Sequence, residues 1–594
     1  MQIFTAIGFL LASFSSLATR AVVADESNIT YNVIYNVPDN QTLAVVLDNH
    51  QVYPLNDTSK ATPLLHMGQA PRPLNEYKYG ILDKHTNDII SQEPFTRHLP
   101  SSNTSSTLNE HFNRTWTVAD EYQLPSVFEP LPVIHRIDSK IHIPGQIPTI
   151  HIMGNSTGID YMQSHQLTDI DVEGLKMAYI SAEEVKTFDG VRFSVSGHST
   201  RNMPKLAYSI KLPKKQDLYN YRRFKLRANA MDPSYMKENI GYSVANAVGL
   251  PASEYSYVRL YINNQPIGLF GFVEHLKNPW IRNEFANGDK DYKQGALYVG
   301  GKEGLLNFTN KEQTSNESEG ESEITNNYKP DFSYFGTNLS LYEEYYPVKE
   351  DPSKGKANYT RIMEFTKFLS EQSNTTAVDN SMAPRWEQYI DVESFLRTFA
   401  LEVLIMDTDG YIANANNFVL YDDLNADRLV MSDQDFDLSC GTILPQLNST
   451  FMYSGNYSDF PGLLTQPLTS KMLKVPQFKD RFNQILRNYT KGLFANAAIQ
   501  KRIDSLYNLL KEDVAWDKSL PPVGKFLIPL PANMTGSADP SAFFRDFSFE
   551  KAVYGPISIP MIQQHSIAEW AKIRGDNLEE FFNKTNINTT TFAS

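Results

Sequence analysis

Cysteine is almost missing: Cys440 is the only one in the chain, so no intrachain disulfide can form, and stability must come from a buried core. No uninterrupted apolar stretch reaches the roughly 20 residues that a membrane-spanning helix needs. Basic charge is in deficit too, with 54 Lys and Arg against 68 Asp and Glu and a formal net charge of -14. The lysines are scattered rather than clustered. This balance argues against nucleic acid or an anionic membrane as the main partner. With 594 residues the chain exceeds one ordinary domain, and two domains with insertions are expected.

The apolar stretch Ile3 to Phe14, followed by Ser16-Leu17-Ala18, has the small-x-small pattern of a signal-peptidase site, so residues 1–18 are expected to be a signal peptide. A buried N-terminal strand is the other reading, because no Lys or Arg precedes the stretch. Seventeen Asn-x-Ser/Thr sequons, among them Asn28, Asn56, Asn113, Asn155, Asn338, Asn448, Asn488 and Asn533, point to N-linked glycans. The tail from Phe582 to Ser594 carries no hydrophobic lipid-anchor signal. A secreted or lumenal glycoprotein is expected, in the medium, a cell wall or a spore coat.

Short alternating runs such as Tyr31-Val33-Tyr35 and Leu43-Val45-Leu47, separated by turn residues, predict a small β-sandwich over residues 25–100. Residues 101–148 read as linker and irregular chain, beginning with the polar stretch Ser101 to Thr107. From residue 149 to 594 a second, α+β domain is expected. Val191, Phe193 and Val195 lead into Gly197-His-Ser-Thr, and Tyr208, Ile210 and Leu212 lead out, which predicts a hairpin. Asp232 and Pro233 then suit a helix start, with Met236, Ile240, Val244 and Val248 on one face. Tyr255–Ile262 and Ile267–Val273 read as paired strands around Asn263-Asn264. The acidic, apolar-free segment near 309–327 is expected to be a disordered insertion. Beyond it helices dominate: Val392 to Met406, Phe478 to Leu493 and Ala498 to Leu510.

Two acidic clusters stand out, Asp407-Thr-Asp409-Gly-Tyr and Asp433-Gln-Asp435-Phe-Asp437. Phosphoryl transfer needs alignment and charge neutralisation more than covalent chemistry. Asp409, at the end of an apolar helix, is placed to accept the proton of an attacking hydroxyl, although Asp-Gly alone also suits a helix-closing turn. Asn417 or Asn414 could bind metal through an amide oxygen. A hairpin of Phe418–Tyr421 and Arg428–Met431 delivers the chain to Asp435, which could hold Mg²⁺ with Asp437 as a second ligand. Asp433-x-Asp435-x-Asp437 resembles the opening of an EF-hand loop, but the Gly and Glu that loop needs at its sixth and twelfth positions are replaced by Leu438 and Leu444, which argues against calcium by that motif. Lys205 or Lys211 could meet phosphates, Glu238 could orient such a lysine, and Gly197 is a lone candidate for a phosphate loop.

In order, Gly197-His-Ser-Thr with Pro204-Lys205, Phe224-Lys-Leu-Arg227 with Asp232-Pro233, Val258 to Asn263 with Gly268 and Glu274, Asp409-Gly-Tyr411 with Asn417, and Asp435-Phe-Asp437 with Gly441 resemble the CotH family of atypical protein kinases. The resemblance implies a kinase-like fold with a β-rich N-lobe and a helical C-lobe, ATP with Mg²⁺ or Mn²⁺ as cofactors, and Ser or Thr of secreted or coat proteins as substrate. It implies Asp409 as catalytic residue, Asn417 and Asp435 at the metal, Lys205 at the phosphates with Glu238, and Glu274 near the nucleotide hinge. A non-catalytic coat or adhesion protein on a pseudokinase scaffold is the alternative. Some fungal members are invasins that bind a host-surface receptor through a Met-Gly-Gln-rich segment; here Ile412-Ala-Asn-Ala-Asn-Asn-Phe418 stands in its place.

Overall fold

The computed structural model describes residues 28–301, 329–372, 379–444, 447–527, 547–557 and 563–585. The expected signal peptide and the acidic insertion fall outside the described residues. The chain forms two compact units, divided between Thr115 and Trp116.

The first unit is built from two four-stranded sheets. One holds β1 (Asn28–Ile34), β4 (Asp57–Thr58), β5 (Leu65–Pro71) and β8 (Ser106–His111); the other holds β2 (Gln41–Leu47), β3 (Val52–Pro54), β6 (Tyr77–Asp83) and β7 (Ile89–Gln92). The alternating residues identified in the sequence do fill the core: Tyr31, Val33, Leu43, Val45 and Leu47 are buried with Tyr77 and Tyr79. The stretch 101–148, expected as a linker, divides instead. Its first part is β8, whose buried Glu110 accepts hydrogen bonds from the hydroxyls of Tyr77 and Tyr79, the latter at 2.7 Å. Hydrophobic patterning misses this strand because its burial is secured by a polar partner. Residues beyond Trp116 are tied into the second unit, where Ile137 N donates to Asn283 O at 2.7 Å and Arg136 pairs with Glu284.

The second unit opens with a closed barrel of seven strands in the order β10-β11-β12-β13-β15-β14-β9. They are β9 (Thr149–Met153), β10 (Asp171–Ile180), β11 (Val185–Ser196), β12 (Ala207–Lys211), β13 (Arg223–Arg227), β14 (Tyr255–Ile262) and β15 (Gln265–Glu274). Each strand turns alternate residues inward: Phe193 and Val195, Tyr208 and Ile210, Phe224 and Leu226, Phe270 and Phe272 form one core. The hairpin predicted around Gly197 is the β11–β12 pair, and the one around Asn263-Asn264 is β14–β15. Both asparagines there have positive φ, as the mirror-image turn of a two-residue hairpin requires.

Three helices position the site. α1 (Lys237–Ala247) starts five residues after the expected Asp232; that carboxylate nonetheless accepts from Ser234 N and Lys237 N, both at 2.9 Å. α2 (Val392–Ile405) is capped by Asp391, which accepts from Ser394 N, and it buries Phe395, Phe399 and Val403 as their spacing predicts. It ends at Met406 with φ 56. α3 (Ala498–Ser519) runs past the expected end at Leu510. A small sheet of β16 (Leu297–Gly300), β17 (Val348–Glu350), β18 (Phe418–Asp423) and β19 (Arg428–Asp433) lies beside α2, with Phe418 opposite Asp433 in the predicted hairpin.

The last turns of α3 fasten onto the barrel. Asp517 accepts hydrogen bonds from Leu269 N at 2.7 Å, Tyr235 Oη at 2.6 Å and Lys205 Nζ at 2.8 Å, and Asp513 pairs with Arg259 at 2.6 Å. Removing one partner of a buried pair leaves the other charge uncompensated. Asp517→Ala is therefore expected to destabilise this unit by about 3 kcal/mol or more, read by urea unfolding; a loss near zero would show that the contact does not hold the helix to the barrel.

Candidate active site

Asp409 sits in the turn that follows α2. Its side chain is buried, 5% exposed, and accepts Asn414 Nδ2 at Oδ1 (2.6 Å) and Asn417 Nδ2 at Oδ2 (2.9 Å). Both candidate asparagines thus meet the same carboxylate. Asn417 does more: with φ 56, its carbonyl accepts Gln434 N at 2.8 Å, tying the Asp409 loop to the residue before Asp435. An amide whose nitrogen donates to Asp409 turns its oxygen the other way. Burial raises the Asp409 carboxyl to about 6, although the asparagines pull it down.

Asp435 has φ 66 and lies in the turn that leaves β19. Phe436 fixes this turn. Its ring is fully buried, edge-on to Tyr242 at 4.9 Å, and sits so close to α1 that a Cβ on Gly241 would be 2.4 Å from it. The residues on either side of Phe436, Asp435 and Asp437, are therefore held on a rigid support. Arg227, from β13, binds both Asp435 and Glu238, with Nε 2.8 Å from each Glu238 oxygen. Burial opposes the Asp435 charge, but Arg227, Lys225 and Lys349 outweigh it and hold this carboxyl below its usual range. Burial and the neighbouring Asp435 charge push Asp437 well up. Lys349 is lowered to about 7 by burial and then by Lys225 and Lys277.

Behind these residues Glu402, Asp407 and Asp433 are buried together. Glu402 Oε2 accepts Ile412 N at 2.7 Å and Asp407 Oδ1 accepts Asp409 N at 3.1 Å, so both shape the loop. Burial first, then the Asp409 charge, raises Asp407 to about 8. Burial raises Glu402 and Asp433 well above the carboxylate range as well, with Asp433 and Asp407 adding to the rise at Glu402 and Asp407 to that at Asp433.

Asp409, Asn417, Asp435, Asp437 and Glu238 thus belong to one neighbourhood, but three expected members do not join it. Lys205 is taken by Asp517 and by the faces of Phe270 and Tyr235, so the expected Lys205–Glu238 pair is replaced by Arg227–Glu238. Glu274 is occupied by His142 at 3.2 Å and by Glu254 N at 3.0 Å. Gly197 has φ +92, and a Cβ there would lie 2.2 Å from Thr200 Oγ1, so the turn itself accounts for the glycine. Among the described residues no group of three His, Cys, Asp or Glu is arranged to cage a metal. The cations missed by sequence reasoning, Lys225 and Arg227, were visible as alternate residues of Phe224-Lys-Leu-Arg227 beside two inward-facing apolar ones.

The sequence model of the family described as "CotH kinase protein" matches residues 193–519, from within β11 to the last residue of α3 and over half of the chain. The protein belongs to the CotH kinase family. Its relatives in Rhizopus delemar include "Invasin CotH3", 26% identical over 514 residues, covering 86% of this chain and 78% of that protein. "Invasin CotH2" is 26% identical and covers 72% of this chain and 68% of its own length. "Spore coat protein homolog 1" is 26% identical, with 72% and 64% covered. No described helix is long and apolar enough to cross a membrane.

Arg227→Ala would leave two carboxylates without their shared cation. It is expected to cost about 3 kcal/mol or more in chemical denaturation and to raise the Asp435 pKa, and Arg227→Lys should recover only part of this because a lysine cannot bind both sides at once. Wild-type stability in Arg227→Ala would refute the bridging role.

Proposed function

We propose that this CotH-family protein is an atypical protein kinase that transfers the γ-phosphoryl group of ATP to a Ser or Thr hydroxyl of a secreted, coat or cell-wall protein. The observation that carries the reading is the double attachment of Asn417, to Asp409 through its side chain and to the Asp435 turn through its backbone. Proton acceptor and phosphate-side carboxylates are thereby kept in register.

The donor set fits a hard divalent cation. Asp435, Asp437 and the Asn417 amide oxygen are the groups that would hold Mg²⁺ or Mn²⁺, and one or two carboxylates suffice because Mg²⁺ takes its remaining ligands from water and substrate phosphates. Bound there, the ion neutralises phosphate charge. Lys225, Arg227 and Lys349 add positive charge on the same side, where electrostatic support for an equatorial phosphoryl oxygen is most useful. Asp409 accepts the hydroxyl proton as the oxygen bonds to the γ-phosphorus, and the bond to the bridging oxygen breaks to release ADP.

Asp409 must be ionised to accept that proton. Because burial lifts it from the ordinary carboxylate range to about 6, transfer is expected to fall as pH drops through about 6 rather than near 4. Asp409→Asn should keep nucleotide binding and lose transfer by at least about a hundredfold. Asp435→Ala should abolish the rise in melting temperature caused by ATP with Mg²⁺ or Mn²⁺. A wild-type protein unmoved by metal and nucleotide would instead favour the second reading, a non-catalytic surface or coat protein. That reading draws on the names of the invasin and spore-coat relatives and on Arg227 standing at Asp435.

Secretion, N-glycosylation and residence in a wall or coat belong to the same proposal. Asn28, Asn56, Asn113, Asn155, Asn338, Asn448 and Asn488 are all exposed, as glycan acceptors must be; Asn533 lies outside the described residues. Asn155, Asn338 and Asn448 also cap helices with their side-chain oxygens.

A further inference from the structure

The outer face of the barrel carries a basic groove that the transfer chemistry does not use. Arg192 on β11 stands opposite Lys211 on β12, and Lys211 stands opposite Arg223 on β13. Three like charges face one another across adjacent strands, an arrangement that destabilises a sheet unless something offsets it. Arg192 is partly offset by Asp171, 2.9 Å away, and by Glu173. Lys211 and Arg223 have no ion-pair partner among the described residues. Arg222 folds back to donate to Leu212 O and Pro213 O, both at 3.2 Å, which keeps its charge at the groove's edge. With exposed Lys214 these residues line a groove of about 290 Å³. Burial and the charges of Arg223, Arg192 and Arg222 all lower the Lys211 pKa. Such a concentration of cations runs against a net chain charge of -14.

β13 connects this groove to the candidate active site. Arg223, Lys225 and Arg227 alternate along one face of the strand, and Arg227 is the residue that binds Asp435. Four residues of strand cover about 13 Å. An extended peptide has the same repeat, so acidic side chains on it can meet Lys211 and Arg223 in the groove while a part several residues away reaches toward Asp409. A row of cations on adjacent strands at that spacing suits an extended peptide better than a compact anion.

We propose that the groove lined by Lys211, Arg223 and Arg222 docks an acidic, Asp- or Glu-rich segment of the protein substrate several residues from the acceptor hydroxyl. The inference rests on the kinase reading and narrows its substrate class. It is tested without turnover, by fluorescence anisotropy of a labelled Glu-rich peptide containing one Ser, beside a Lys-rich peptide of equal length and heparin as a non-peptide polyanion. The acidic peptide should bind the full-length protein, lose affinity at high salt, and bind about tenfold or more weakly to Lys211→Glu/Arg223→Glu. Lys214→Glu, an exposed single change, should weaken binding more modestly and serves if the double variant does not fold. Equal binding of both peptides, undiminished binding to a folded variant, or capture of heparin alone would overturn the proposal. A melting-temperature rise with ATP and Mg²⁺ in the same samples separates the two readings: if it persists while peptide binding fails, only the docking groove is lost.

Discussion

One guanidinium joins the two halves of the candidate site. Arg227 comes from the barrel, Glu238 from the first turn of α1, and Asp435 from the turn beyond β19, so a single side chain couples three elements, the last of them 208 residues further along the chain. A planar cation with several donors can do this where an ammonium cannot. Because Asp435 also feels Lys225 and Lys349, it stays charged in a place where burial alone would neutralise it. The placement of Glu238 against Asp435 follows from that joint.

The opposite charge is distributed less comfortably. Glu402, Asp407 and Asp433 are packed together at the base of the loop with burial raising all three. Carboxyl groups placed so are costly unless hydrogen-bonded or protonated. Glu402 and Asp407 recover part of this by accepting backbone N–H groups of Ile412 and Asp409, which also fixes the curve of the loop that carries Asp409. Perturbed carboxyls gathered in one place mark a candidate functional site.

The barrel bears charge on its outside with equal consequence. Inward positions of β11, β12 and β13 are filled by Phe193, Tyr208, Ile210, Phe224 and Leu226, so the intervening basic residues have only the outer face available. Lys205 is the exception. It sits over the Phe270 ring beneath α3 and is held by Asp517. The lysine expected at the phosphates therefore anchors a helix, while Lys225 and Arg227 stand beside the acidic turn.

Local pattern was sufficient for much of this protein. Alternation predicted the β11–β12 and β14–β15 hairpins and the sandwich core, helical spacing predicted α2, and the acidic clusters on either side of the Phe418–Met431 hairpin marked Asp409 and Asp435. These signals are short-range, since strand and helix periods are written in neighbouring residues. Pairing between distant charges is not written that way. That Glu238 meets Arg227 rather than Lys205, that Glu274 meets His142, and that β8 joins the sandwich through Glu110 were decided by the register of a closed barrel and by which side chains it brought within reach. The sequence by itself determined the elements and the chemical inventory; only the tertiary structure chose the partners, because an ion pair depends on distances of a few ångströms between residues that the chain separates by tens or hundreds of positions.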